Sequence, residues 1–217
     1  MNIVFYTDLG SVSWKDMQHK ILCISKAEAD KVLSYKQEKD RCLALAGKLI
    51  LLYGFNILMK QNRYILPELE YNEFGKPEFK SYSLGFNISH SGYRVVCACI
   101  HQGITGVDIE YMTKINPEEF RDIFSGEEYD RILAGNPVDF FHLWTLKEAV
   151  MKAEGRGFSL DPLQIQTHTI TNGNELTLNK NRWFLFTKKM DEYSLTLASS
   201  NPEPPQYIEV NPRDLLL

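Results

Sequence analysis

Two long helical stretches, each accompanied by strand-like segments, set the most restrictive condition on how this chain folds. In the first, from about Ser25 to Asn56, Leu43, Ala46, Leu49, Ile50 and Tyr53 recur at the spacing of one helix face. Ser25 is placed to cap its start, with Glu28 three residues on as in a capping box, and Gly54 is placed to end it. The second runs from Phe140 to Ala153 and stops at Gly155 and Gly157. Strands are expected at Ile3–Tyr6, at Arg94–Ile100 (apolar on both faces), at Ile104–Tyr111 and within Gln164–Ser199. Pro67–Leu84, rich in turn residues, reads as loops and short strands. The stretches Tyr35–Gly54 and Tyr129–Gly155 echo one another without being a sequence repeat. The expectation is an α+β protein of two halves, 1–103 and 104–217, meeting near Gly103. The tail from Asn201 holds four prolines and reads as irregular.

The 217 residues allow one large domain or two small ones sharing a core. No run approaches the roughly 18 apolar residues of a membrane span, and no basic leader precedes the first apolar run, so neither a membrane anchor nor a signal peptide is expected. A net charge of −4 argues against general nucleic-acid binding. The four cysteines, Cys23, Cys42, Cys97 and Cys99, include no CxxC pair and read as free thiols of a cytoplasmic protein.

Four segments carry chemistry. In Gly106-Val107-Asp108-Ile109-Glu110, two carboxylates alternate with apolar residues. On a strand they share one face, roughly 7 Å apart, and suit a hard cation such as magnesium; a strand with one wet face is the plainer reading. In the later helix, Trp144, Glu148 and Lys152 form a line separate from the apolar stripe Leu146, Ala149, Val150 and Ala153. That line serves a metal and a phosphate, or is a solvated ion pair. Phe86-Asn87-Ile88-Ser89-His90-Ser91-Gly92 offers hydroxyls, an imidazole and a glycine turn for a phosphate. A Ser89–His90 catalytic dyad is disfavoured, because strand neighbours point to opposite faces. Gly75-Lys76-Pro77 lacks the rest of a P-loop and is otherwise a turn. Lys26, Lys36 and Arg41 form either a phosphate patch or a wet helix face.

The order and spacing of these segments, with FSGEEY at Phe124–Tyr129 and WTLKEAVMKAEGRGF at Trp144–Phe158, resemble the phosphopantetheinyl transferases. They are similar to the monomeric type that activates peptide and polyketide synthetases, over nearly the whole chain from about Ser25 to Leu197. The resemblance implies two similar halves related by pseudo-twofold symmetry, with coenzyme A in the cleft between them. It implies magnesium, with manganese as a substitute, on Asp108, Glu110 and Glu148. It places Lys152 on the pyrophosphate, Ser89 and His90 on phosphate, Lys76 near the adenosine, and Arg41 and Lys26 at the 3′-phosphate. A second upstream lysine of the family falls at Ala29 here, so Lys36 supplies that charge or it is missing. Glu128 matches a supporting glutamate.

The implied reaction moves the phosphopantetheine arm of coenzyme A onto a serine of an acyl or peptidyl carrier protein, leaving adenosine 3′,5′-bisphosphate. Glu148 or a metal-held water takes the serine proton. The implied partners include no nucleic acid and no membrane. The competing classes are a non-catalytic coenzyme A or carrier-binding module and an unrelated metal-dependent phosphoesterase. All three acidic ligands and Lys152 are present, against the first; the GKP and SHS segments stand against the second.

Overall fold

The computed structural model describes residues 1–134, 137–167 and 175–216. In chain order the elements are β1 (Asn2–Asp8), α1 (Trp14–Met17), α2 (Lys26–Ser34), α3 (Glu38–Met59), β2 (Leu69–Tyr71), β3 (Pro77–Phe79), β4 (Leu84–Ser91), β5 (Arg94–His101), β6 (Thr105–Tyr111), α4 (Gly126–Leu133), α5 (Pro137–Glu154), β7 (Glu175–Leu178), β8 (Asn181–Met190), β9 (Tyr193–Ser199) and β10 (Gln206–Glu209). This is the expected α+β class. The stretch 168–174, inside the region read as strand-like, lies outside the described residues.

One four-stranded sheet has the order β10-β1-β5-β4, and a second, β6-β9-β8-β7, is antiparallel throughout. β2 and β3 form a separate hairpin. The odd residues Ile3 and Phe5 of β1, with Val95, Cys97 and Cys99 of β5, join the core under α3. Their alternates Val4, Val96 and Ala98 meet Val107, Ile109, Leu195 and Leu197 of the second sheet. The layers therefore run α3, first sheet, second sheet, α5. That explains why β5 is apolar on both faces: it is covered by a helix on one side and a sheet on the other.

α3 is long and apolar enough to cross a membrane by length and composition, and packing accounts for that apolarity. Leu45, Ala46, Ile50, Leu51 and Phe55 are all fully buried against the first sheet. Gly54 does not end this helix. It lies inside it, where a Cβ would come within 2.8 Å of the Phe5 ring, so its function is close helix–sheet approach. The helical stretch also breaks in two at Tyr35–Gln37. Ser25 accepts the Glu28 N–H as expected, but the Glu28 carboxylate turns inward to Lys48 at 2.6 Å, to Lys31 and to the Tyr71 hydroxyl. The tail differs from its reading as well. Its prolines bracket β10, which pairs in parallel with β1, and Asn2 Nδ2 holds the connection by donating to the carbonyls of Asn201 and Glu203.

α5 lies on the second sheet through Leu146, Ala149, Val150 and Ala153, all buried as the apolar stripe requires. Gly106 sets the approach. A Cβ there would stand 2.1 Å from the Ala149 carbonyl oxygen and 2.3 Å from the Ala153 nitrogen, so only glycine lets this helix reach the strand that carries Asp108 and Glu110.

Candidate active site

The site grows from the seam between the sheets. β6 is the outer strand of its sheet, and its free N–H groups point at β4, the outer strand of the other. No main-chain ladder joins them. Instead, polar side chains at alternate positions of β4 take the donors in turn. The Val107 N–H donates to Asn87 Oδ1 at 2.9 Å, the Ile109 N–H to Ser89 Oγ at 3.4 Å, and the Tyr111 N–H to Ser91 Oγ at 3.0 Å. The same hydroxyls continue to the acidic face of β6: Ser89 donates to Asp108 Oδ1 at 2.9 Å and Ser91 to Glu110 Oε2 at 2.7 Å.

Lys152 completes the cluster from α5. Its ammonium donates to Asp108 Oδ1 at 2.6 Å and to Ser89 Oγ at 3.1 Å. Trp144, two turns earlier on the same line, favours the charged form of Glu110. The line of Trp144, Glu148 and Lys152 thus faces the strand carboxylates, as the helical spacing predicts. Burial pushes the Glu110 carboxyl up, and Asp108 adds to it. Burial likewise pushes Glu148 up to about 7, with Lys152 opposing and Asp108 and Glu110 reinforcing. Burial alone would lower Lys152, but Asp108, Glu148 and Glu110 outweigh it and hold the ammonium above its usual range.

Two buried carboxylate oxygens, Asp108 Oδ2 and Glu148 Oε1, have no hydrogen-bond partner. Orphaned anionic oxygens beside a carboxyl forced toward its neutral form fit a hard divalent cation, which prefers oxygen donors. Among the described residues no group of three or more His, Cys, Asp or Glu side chains is placed to hold a metal ion, and the Lys152 ammonium stands on Asp108.

Ser89 is buried and His90 exposed, so the two point apart and form no dyad. Desolvation, and then the Lys152 ammonium, lower the His90 pKa. The remaining expected residues engage other partners. Lys76 donates to the Thr105 carbonyl at 3.2 Å and the Ala153 carbonyl at 2.9 Å. Lys26 pairs with Asp30 at 2.7 Å, and Arg41 Nε donates to the Tyr35 carbonyl at 2.8 Å.

Sequence reasoning gave Asn87 no role and read Ser91 only as a hydroxyl for a phosphate, although polar residues at 87, 89 and 91 are a period-two signal that one strand face is spoken for. It also passed over Lys147. This lysine is fully buried, 3.0 Å from Glu128, and donates to the carbonyls of Pro162 and Ile165 at 2.9 and 2.7 Å. Glu128 further accepts from the Thr167 N–H and hydroxyl and from the Ser125 N–H. The signal was the position of Lys147 within the apolar arc of Leu143, Leu146, Val150 and Met151.

The family model of the 4′-phosphopantetheinyl transferase superfamily matches residues 104–198, and that of the N-terminal part of a 4′-phosphopantetheinyl transferase matches residues 11–102. The chain is 29% identical to the 4′-phosphopantetheinyl transferase Sfp of Bacillus subtilis over 85% of this chain and 86% of that one. It is 33% identical to another 4′-phosphopantetheinyl transferase of Bacillus subtilis over 67% and 68%, and 34% identical to the gsp enzyme of Aneurinibacillus migulanus over 66% and 64%. The chain belongs to the 4′-phosphopantetheinyl transferase family, to its Sfp type, and is an enzyme of that kind.

The Lys147–Glu128 pair ties α5 to α4 and to the segment Pro162–Thr167. Removing one partner of a buried pair leaves the other charge uncompensated, at a cost of about 3–5 kcal/mol. Lys147→Met should lower stability by that amount in a urea melt; a change within about 0.5 kcal/mol, as for a surface site, would contradict the assignment.

Proposed function

We propose that this enzyme transfers the 4′-phosphopantetheine of coenzyme A to a serine hydroxyl of an acyl or peptidyl carrier protein, giving holo-carrier protein and adenosine 3′,5′-bisphosphate. The observation that carries the reading is the cluster at the seam: Asp108, Glu110 and Glu148 from two elements, with Ser89 and the Lys152 ammonium against them. Asp108, Glu110 and Glu148 would hold magnesium, or manganese in its place, which when bound supplies charge neutralisation at a pyrophosphate. Lys152 keeps a full positive charge beside the reacting phosphate, where fixed electrostatics act on charge that builds in the transition state. Ser89 orients Lys152 and Asp108 together. Glu148, or a water held by the metal, would take the serine proton. His90, Arg41 and Lys26 take the 3′-phosphate, with Lys36 as a further cation. The four free thiols support a cytoplasmic location, and the enzyme acts as a monomer.

Asp108→Ala and Lys152→Met should each lower kcat for an apo-carrier protein by roughly a hundredfold or more, with the protein still folded by thermal melt. Turnover near wild type in either folded variant would contradict the assignment. A cation entering the site must displace the Glu148 proton. Below about 7, the folded-state pKa of Glu148, apparent magnesium affinity should fall about tenfold per pH unit, since one proton is released. Above it the affinity should level off. Calorimetric titrations on both sides of neutrality check this, and a pH-independent affinity would remove Glu148 from the ligand set. The 3′-phosphate contacts predict that dephospho-coenzyme A binds roughly ten- to a hundredfold more weakly than coenzyme A. Equal affinities would rule the patch out.

A further inference from the structure

We propose that the turn Asn72–Lys76, between β2 and β3 of the first half, is a clasp on the C-terminal end of α5, and that Asn72 and Lys76 are positioning residues for Glu148 and Lys152. The role given to those two rests on the proposed function; the clasp itself does not.

A helix ends with carbonyls that have no partner inside it. At the end of α5, Gly155 takes a left-handed conformation (φ 71°) and returns its N–H to the Met151 carbonyl at 3.0 Å, the usual glycine stop. The carbonyls of Ala153 and Gly155 are then answered from the other half of the chain. Lys76 Nζ donates to Ala153 at 2.9 Å and Asn72 Nδ2 donates to Gly155 at 2.9 Å. The Arg156 guanidinium lies over the Phe74 ring, 6.0 Å from its centre. A Cβ on Gly155 would stand 2.9 Å from Lys76 Cδ and 3.0 Å from Asn72 Nδ2, so the turn seats directly on this glycine.

The turn is built for the purpose by the same asparagine. Asn72 Oδ1 accepts from the N–H groups of Phe74 and Lys76, both at 2.9 Å. Lys76 does more than cap. Its second bond, 3.2 Å to the Thr105 carbonyl, reaches the first residue of β6, three positions before Asp108. One ammonium therefore joins the strand bearing Asp108 and Glu110 to the helix bearing Glu148 and Lys152. It is held there by carbonyls in a setting where burial pulls its pKa down to about 8. Phe79, at the end of the same hairpin, is anchored in the core of the first half, so the clasp fixes the α5 terminus relative to Ser89.

Asn72→Asp separates the two duties of the asparagine. The carboxylate still accepts both turn bonds, but it presents an oxygen to the Gly155 carbonyl and a negative charge to a helix C-terminus, where anions are disfavoured. The expected result is a kcat lower by roughly tenfold or more, because small displacements of catalytic groups are costly. The loss should be equal for coenzyme A and dephospho-coenzyme A, because displaced Glu148 and Lys152 serve both alike, and coenzyme A affinity should stay near wild type. Unchanged kcat in folded Asn72→Asp, or a loss confined to coenzyme A affinity, would overturn the proposal. If Asn72→Asp does not fold, Lys76→Met and Lys76→Arg carry the test: Arg still donates and should retain most activity that Met loses, and equal activities would overturn it. Hydrogen exchange reads the clasp without the reaction. Faster exchange confined to 151–156 in Asn72→Asp is expected, and unchanged exchange there counts against the clasp. Absent transfer by the wild type, with that exchange change present, would count against the proposed function alone.

Discussion

The structure depends on how one edge strand is satisfied. β6 presents the N–H groups of Val107, Ile109 and Tyr111 beyond its own sheet, and the first two lie where water does not reach. Buried backbone donors need partners, and an open edge invites foreign strands. Here Asn87, Ser89 and Ser91 of β4 supply acceptors at the matching period of two. Because a hydroxyl can accept and donate at once, Ser89 and Ser91 take a backbone N–H and pass a hydrogen bond on to Asp108 and Glu110. The atoms that join the two sheets are thus also the atoms that orient the acidic face.

Other features follow from bringing a second element to that face. Gly106 lets α5 come within backbone contact of β6, which sets Lys152 on Asp108. The far side of α5 is then deeply enclosed, and the Lys147–Glu128 pair answers the polar groups left there. Two adjacent residues of one helix therefore do opposite things. Lys147 is spent on internal carbonyls and one carboxylate, while Glu148 faces Asp108 and Glu110 with a buried oxygen left over.

The acidic face of β6 and the polar line on α5 were legible because each is local. Asp108 and Glu110 follow strand period, and Trp144, Glu148 and Lys152 follow helix period, so each set declares its shared face within a few residues. The α+β class and the doubly covered β5 were legible for the same reason. What the sequence concealed involves partners distant along the chain. Gly54 looks like a helix stop until Phe5 is seen against it. β10 looks like a proline-rich tail until β1 is seen to need a neighbour. Lys76 looks like a ligand contact, yet its donors go to Thr105 and Ala153. Glu28 has the spacing of a capping box, but Lys48, twenty residues on, outcompetes the backbone for its carboxylate.

The most direct test of the account is mass spectrometry of several apo-carrier proteins after incubation with the enzyme, coenzyme A and magnesium. The account predicts that at least one carrier gains a single phosphopantetheinyl group on a serine, that adenosine 3′,5′-bisphosphate is released with it, and that coenzyme A stays intact when no carrier is present. Carriers of unchanged mass, or coenzyme A consumed without a carrier, would contradict it.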